Sequence, residues 1–558
     1  MTWHVELDYQ DYETAREEFE WTVPAEYNLA HDLLRKHEDV HRPALHQSYP
    51  DGRERTYSFR ELDDLSDRVA RGLANRGVGR GDRVGVVLPQ VPANPLTHLA
   101  CWKLGAVSIP LSVLFGPDGL ESRLGDAGAV AVVADEEVRD AVSTAVGNCR
   151  GLDRHVEVRW RGEASEDAPA WNAEDGDDGP DERFATLLGE PAGFDRVETG
   201  PDTPAVVLYT SGSTGPPKGV LHTHDVWVGH CPAFFMYVER DVEGTYWTPA
   251  DWAWIGALGD LLFPAWHYGQ PVVGHPMGPF DPETAVELMD EYDVTDAFLP
   301  PTAIRMLMSH GTGSVDLSLE TVCSGGEPLT PEILEWADDE MDGLVVNELY
   351  GQTEANLLVT NCRDWFSGRA GSMGKPVPGH EVAIVDTETG ERKPPGEVGA
   401  IAVRRADDPV VFSEYWNAPE RTAAATLDGW HLTGDLGSRD EDGYLWFKSR
   451  DDDVIITAGY RVGPGEVEGA ILNHADVEQA GVIGVPDDTR GELIKAFVEP
   501  AAGVDPDDEL REEIRSLVRD RLAKHEYPRE IEFLAGLPQT TTGKIRRRAL
   551  RDREGSGD

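Results

Sequence analysis

The sequence predicts an α/β protein built as two domains, a large one followed by a small one. Three observations lead there. The chain has 558 residues, too many for a single core. From about residue 58 onward, helical and strand patterns alternate, which implies a largely parallel sheet. A composition break falls at Lys448-Ser-Arg-Asp-Asp-Asp453, and after it the pattern starts afresh. We therefore expect domains at 1–448 and 449–558, the second within the usual domain size range.

The elements follow in order. Ser58-Phe-Arg-Glu61 has the form of a capping box, and Leu62, Leu65, Val69 and Leu73 continue it at helical spacing toward Gly77. Arg83-Val-Gly-Val-Val-Leu88, stopped by Pro89, reads as a strand, as does Ala129-Val-Ala-Val-Val133. Residues 161–200, rich in Glu, Asp, Gly, Pro and Ala, read as a solvated acidic excursion without chemistry. In the second domain Gly465-Glu-Val-Glu468 opens a helix. Ala480–Val485 and Ile494–Val498 read as strands, and Asp507–Leu522 as a helix, an α+β pattern. No internal repeat is visible.

Composition excludes several functions. The net charge is −53, and nine lysines stand against 41 arginines. Acid spread along the whole chain fits a halophile's cytoplasmic protein, because at molar salt the Debye length falls to ~3 Å and surface carboxylates repel little. An acidic nucleic-acid mimic is the rival reading. Binding to nucleic acid or to an anionic membrane is disfavoured, since Arg546-Arg-Arg548 is the one basic run. The five cysteines, 101, 149, 231, 323 and 362, are scattered, with no Cys-x-x-Cys pair and no zinc spacing. They read as reduced, mostly buried thiols of a cytosol. The acidic N-terminus lacks the apolar stretch of a signal peptide. No run approaches the ~20 apolar residues of a membrane span.

The segment Tyr209-Thr-Ser-Gly-Ser-Thr-Gly-Pro-Pro-Lys-Gly219 carries the most chemistry. It follows the apolar run Ala205–Tyr209, which reads as a buried strand. Glycines let successive N–H groups converge on an anion, and the hydroxyls and Lys218 add donors, so the loop suits phosphate. It is not the Walker A loop, because Lys218 stands between Pro217 and Gly219. Four further segments follow: Ser324-Gly-Gly-Glu-Pro-Leu329, Leu349-Tyr-Gly-Gln-Thr-Glu354, Trp430-His-Leu-Thr-Gly-Asp435 continuing to Lys448-Ser-Arg450, and Thr540-Thr-Thr-Gly-Lys544.

In their order and spacing these five segments resemble the adenylate-forming (AMP-binding) superfamily of acyl-CoA synthetases, luciferases and peptide-synthetase adenylation domains. The chain is most similar to the medium-chain acyl-CoA synthetase branch, from about residue 30 to 551. The resemblance implies a multi-sheet N-terminal domain joined by a hinge to a small C-terminal one, and an acid–thiol ligase. It implies that Thr210, Ser211, Gly212, Ser213, Thr214, Gly215 and Lys218 cover the ATP β/γ-phosphates. Thr353 would touch the α-phosphate, and Glu354 would help hold Mg²⁺, a hard cation that takes carboxylate, phosphate and water oxygens. Gly325, Gly326, Glu327, Pro328, Tyr350, Gly351 and Gln352 would line the nucleotide site, and Asp435 and Arg450 would bind the ribose. Lys544 would bridge the attacking carboxylate and the α-phosphate, a cation placed where charge builds up. Keeping Lys218 and Lys544 at motif positions in a chain with so few lysines argues against two solvated side chains.

For the second half-reaction the resemblance implies a hinge at Asp452, a pantetheine tunnel at Ala458, Gly459 and Tyr460, an ATP or phosphate contact at Arg461, and a CoA contact at Arg490, whose planar fork suits phosphate. ATP and CoA would be co-substrates and Mg²⁺ the cofactor.

Acid length is the open point. Acetate-specific relatives place a Trp where this chain has Gly351, so acids longer than acetate are expected. Short- to medium-chain acids are the expected class. Trp254 reads as an aromatic beside the acyl chain or as a core residue. Two departures from the family pattern stand out: Thr353-Glu-Ala-Asn356 in place of Thr-Glu-Thr-Gly, and Gly463-Pro-Gly-Glu466 in place of Gly-Pro-Phe-Glu. The alternative functions are a standalone ligase loading a carrier protein and a non-catalytic acyl or nucleotide sensor on the same fold. Luciferase-like oxidation is weaker.

Overall fold

The structure is a computed structural model that describes residues 3–161, 182–210, 217–311, 315–326, 329, 331–341, 343–450, 453–457, 460–487, 491–521, 527–539 and 544–555. The chain packs as two compact units. The large unit is Met1–Glu381 with Val403–His431, and the small unit is Val382–Ala402 with Leu432–Asp558.

Two sheets carry the large unit. One runs eight strands wide among the described residues. Its Arg83–Val87, Val107–Pro110, Ala131–Asp135, Arg154–Val158 and Pro204–Thr210 strands lie parallel, and Lys218–Thr223 turns back antiparallel on Pro204–Thr210. The other has nine strands among the described residues. There Val272–Gly274, Tyr246–Trp247, Asp296–Phe298, Thr321–Gly325 and Val345–Gln352 are parallel, followed by antiparallel Ala355–Thr360. The largely parallel sheet expected from alternation is thus present twice. Parallel strands are buried on both faces and read as unbroken apolar runs; every residue of Ala131–Asp135 is buried.

Local expectations hold with small shifts. The capping box forms: the Ser58 hydroxyl accepts from the Glu61 N–H at 3.2 Å and the Glu61 carboxylate accepts from the Ser58 N–H at 2.9 Å. The helix Phe59–Asn75 then buries Leu62, Val69 and Leu73. The strand expected from Ala129 begins at Ala131, because Gly128, at φ 61°, caps the preceding helix and the chain must still turn into the sheet.

The acidic excursion expected over 161–200 is shorter than its composition suggests. From 182 onward the chain is part of the fold. Phe184 and Leu187 are buried, Arg68 donates to the Leu188 and Glu190 carbonyls, and Asp67 accepts from the N–H groups of Gly193 and Phe194. Two apolar anchors outweigh the surrounding charge, which a count of acids does not register. Residues 162–181 lie outside the described residues.

From Leu432 on, the small unit holds the hairpin of Trp430–Arg439 with Leu445–Arg450 and, among the described residues, a five-stranded sheet. In that sheet Val477–Asp487 pairs with Gly491–Pro500. The helix Pro464–Ile471 and the helix Asp508–Arg521 flank its core of Val467, Ile471, Val482, Ala496, Ile514 and Val518. All five cysteines are buried and unpaired. Among the described residues no helix is long and apolar enough to cross a membrane.

Candidate active site

In the large unit, one antiparallel strand organises the expected phosphate site. Thr210 and Lys218 are register partners at the mouth of the Pro204–Thr210/Lys218–Thr223 hairpin, so the Gly-rich loop leaves and re-enters the sheet at adjacent points. Ser211, Gly212, Ser213, Thr214 and Gly215 lie outside the described residues. The other edge of Lys218–Thr223 pairs with Glu414–Tyr415. That pairing brings the Tyr415 ring to 5.3 Å from Lys218 Nζ, within cation–π range.

Thr353 and Glu354 are the two-residue turn between Val345–Gln352 and Ala355–Thr360, with Gln352 opposite Ala355. Both of their carbonyls are tied down. His222 Nε2 lies 2.7 Å from the Thr353 carbonyl oxygen, and the Phe412 N–H donates to the Glu354 carbonyl at 2.8 Å. A carbonyl only accepts, so His222 carries its proton on Nε2. Burial pushes this imidazole down to about 4, which keeps it neutral. The Glu354 side chain is buried, and its Oε1 accepts the Tyr415 hydroxyl at 2.6 Å. No described group hydrogen-bonds Oε2. A carboxylate with one oxygen fixed and the other available, beside a threonine hydroxyl, is a donor set that fits a hard cation shared with phosphate.

Gly325 ends the strand Thr321–Gly325 opposite Leu349, and Gly326 follows at φ 91°, a backbone state that favours glycine. Tyr350, Gly351 and Gln352 close the neighbouring strand and are partly exposed. Two residues before Tyr350, Glu348 is buried, and burial raises its carboxyl to about 8. Glu327 and Pro328 lie outside the described residues.

Gly351 does more than omit a wall. A Cβ there would stand 2.4 Å from the Leu357 nitrogen and 2.9 Å from the Asn356 Cα, closer than real Cβ atoms come. The backbone of the next strand occupies the side-chain position, so the glycine is required by close approach here. Trp254 is partly exposed rather than a core residue, and it meets the Phe115 ring edge-on at 6.2 Å.

In the small unit, Asp435 and Arg450 are cross-strand partners joined by a 2.9 Å ion pair. Asp435 is 8% exposed at its side chain and Arg450 42%. Lys544 is exposed and precedes the helix Arg547–Gly555. That helix is anchored: Arg547 pairs with Glu468 at 2.5 Å and Asp453 at 3.2 Å, and Arg551 with Asp453 at 2.7 Å. The basic run Arg546-Arg-Arg548 is therefore in part structural. Tyr460 and Arg461 lie in the strand Tyr460–Val462, opposite Thr457 and Ile456. Asp452, Ala458, Gly459 and Arg490 lie outside the described residues.

Tyr415, His222, Phe412 and Asp453 were not singled out from the sequence. Each acts through a partner distant along the chain, and no local motif announces it. The run Glu414-Tyr-Trp416 beside apolar Val410-Val-Phe412 was the available signal, an edge strand without an assigned neighbour.

This fold and site define an adenylate-forming ligase of two units. The chain matches the AMP-binding enzyme family over residues 35–416 and its C-terminal domain over 466–544. It is 35% identical to the mitochondrial acyl-coenzyme A synthetase ACSM4 of Rattus norvegicus, over 95% of this chain and 91% of that one. It is also 35% identical to an acetyl-coenzyme A synthetase of Bacillus subtilis (strain 168), over 97% and 95%. The anthranilate CoA ligase AuaEII, solved with anthranoyl-AMP, superposes with a TM-score of 0.83 at 26% identity, covering 95% and 98%. The chain belongs to the AMP-binding enzyme family, as one of its acyl-coenzyme A synthetases.

Proposed function

We propose that the protein activates a short- to medium-chain carboxylic acid in two steps. The acid's carboxylate oxygen attacks the ATP α-phosphorus and pyrophosphate leaves, giving an acyl-adenylate. The CoA thiol then attacks the acyl carbonyl, its proton passes to solvent, and AMP leaves. The observation that carries the reading is the linkage of Lys218, Tyr415 and Glu354, which groups a phosphate-loop cation with an anchored carboxylate.

In this reading Thr210–Lys218 holds the outer phosphates and Thr353 the α-phosphate. Gly325–Pro328 and Tyr350 seat the nucleobase, Gly351 and Gln352 line the nucleotide site, and Asp435 and Arg450 bind the ribose. Glu354 holds Mg²⁺, which neutralises phosphate charge when bound. Lys544 stabilises the charge that develops as carboxylate meets phosphate. Asp452 is the pivot of a functional boundary near residue 448. Ala458, Gly459 and Tyr460 line the thiol's path, with Arg461 and Arg490 on phosphates. Trp254 and Gly351 border the acyl chain. The acidic surface suits molar salt, and the cytoplasm is the expected compartment.

The test is pyrophosphate release with Mg-ATP in molar KCl, across straight-chain acids from acetate upward and benzoate, with and without CoA. CoA-stimulated turnover that peaks beyond acetate supports the reading. Turnover confined to acetate removes the chain-length part of it. Release that CoA does not accelerate points to a carrier protein as acceptor.

A further inference from the structure

The large unit contains a buried polar chain that neither half-reaction uses. His230 lies on the helix Val226–Tyr237, Asp260 on the π-helical turn Leu258–Leu262, and Asn356 on the strand Ala355–Thr360. All three are buried, at 0%, 5% and 6% exposure. Single π turns inside helices often mark functional sites. The hydrogen bonds have one consistent direction. His230 Nδ1 sits 2.8 Å from the Val226 carbonyl and must donate to it, so Nε2 is an acceptor. It receives one hydrogen of the Asn356 amide at 3.3 Å. The other amide hydrogen goes to Asp260 Oδ1. The relay is then complete except at its end, where no described group hydrogen-bonds Asp260 Oδ2. Burial raises this carboxyl well above the usual carboxylate range, which favours its protonated, hydrogen-bond-donating form.

The free end lies beside Gly256, two residues along the chain from Trp254. Asp260 Oδ2 lies 3.4 Å from the point that a Cβ on Gly256 would occupy, and the Phe298 ring lies 3.2 Å from the same point. Gly256 is partly exposed, as are Trp254 and Ile255 beside it. On the other side, Asn356 Oδ1 stands 2.8 Å from the Cβ position of Gly351, which is also partly exposed. Gly351, expected beside the acid, thus borders the relay at Asn356, and Trp254, the other such residue, lies two residues before Gly256 in the chain.

We propose that Asp260, oriented by Asn356 and His230, is a specificity residue of the acyl pocket, and that the acid this enzyme takes carries a hydroxyl group away from its carboxylate. The inference rests on the acyl-CoA synthetase reading above. A hydroxyl accepts the Asp260 proton and stays neutral. A plain alkyl chain offers this already buried carboxyl no partner, so the costly unpaired state persists. Sites built to bond a hydroxyl reject the analogue that lacks it far more strongly than apolar pockets discriminate by size.

The experiment compares kcat/KM by pyrophosphate release for matched pairs: straight-chain acids against their terminal hydroxy counterparts, and benzoate against its hydroxy isomers. Wild type is expected to favour the hydroxylated member of at least one pair by ~10²-fold or more. Asp260→Leu is expected to reverse that preference, and near-isosteric Asp260→Asn, which keeps a donor, to retain part of it. The ratio is taken within each variant, so a partly unfolded preparation does not distort it. Wild type turning over every unsubstituted acid as fast as its hydroxylated partner overturns the inference alone. No pyrophosphate from any acid overturns the acyl-CoA synthetase reading, and the inference with it.

Discussion

The two units hold their site residues by different means. In the large unit the groups around Glu354 are buried: His222 on the Thr353 carbonyl and Tyr415 on the Glu354 carboxylate, with buried Glu348 further back along the strand that leads to the turn. In the small unit the groups are charged and partly wet: Asp435 with Arg450, and Arg547 with Asp453 and Glu468. Burial fixes geometry through desolvation and answers to pH. Ion pairs at the rim fix geometry through Coulomb attraction and answer to salt.

Four changes probe that contrast. The largest effect belongs to Lys544→Ala: on the role proposed for this lysine, its loss is expected to slow acyl-adenylate formation by roughly 10²–10³-fold. Thioester formation from synthetic acyl-adenylate and CoA should change little. Equal loss of both steps in rapid-quench assays would assign the lysine a structural role instead.

The second concerns pH. Glu348 is held near 8 by burial, above its ordinary 4.5, so the folded state keeps a proton that the unfolded state has lost. Its stabilising contribution is fully present below the ordinary value and falls as pH rises toward 8, with a slope of at most about 1.4 kcal/mol per pH unit for one proton. Thermal melts from acid to mildly alkaline pH should show wild type losing stability relative to Glu348→Gln over that window. Parallel curves would remove Glu348 from the account.

Third, Arg547→Met leaves the partly buried Asp453 and Glu468 carboxylates without their shared partner and should cost about 2 kcal/mol. The cost should be read as an earlier melting transition, and it should shrink at high salt. A salt-independent loss would mean that packing, not charge, anchors the last helix. The smallest expected effect is that of Tyr415→Phe, which keeps the ring near Lys218 but removes one hydrogen bond to a charged group, worth about 1.5 kcal/mol. Mn²⁺ affinity measured by electron paramagnetic resonance and KM for Mg-ATP should each worsen by roughly tenfold, with kcat less affected. Unchanged Mn²⁺ binding would show that Tyr415 does not orient Glu354.

Much of this was legible before any coordinates. The capping box at Ser58, the strand before the Gly-rich loop and the second domain's strand and helix pattern follow from local periodicity, and local periodicity survives folding. The order of motifs pointed to the family. What stayed hidden is long-range. Tyr415 reaches Glu354 only because an edge strand pairs beside Lys218. The glycine at 351 reads as an empty wall in sequence, yet it is a close approach of two backbones. Asn356 was visible as a departure from the family pattern, but its partners Asp260 and His230 come from two other elements. Residues 182–200 were hidden by their own composition, since two buried side chains decide their fate.

The hairpin that pins Thr210 against Lys218 also makes the segment between them a closed ring in the polymer sense. Its ends are held by the ladder whatever lies between, so the entropy of closing it rises only slowly with length, about 0.6 kcal/mol for each doubling. Residues could be added to the ring without moving the lysine at its foot. On the role proposed above, the segment between Thr210 and Lys218 is therefore a part that selection, or a protein engineer, can resize while the strands at its ends stay in place.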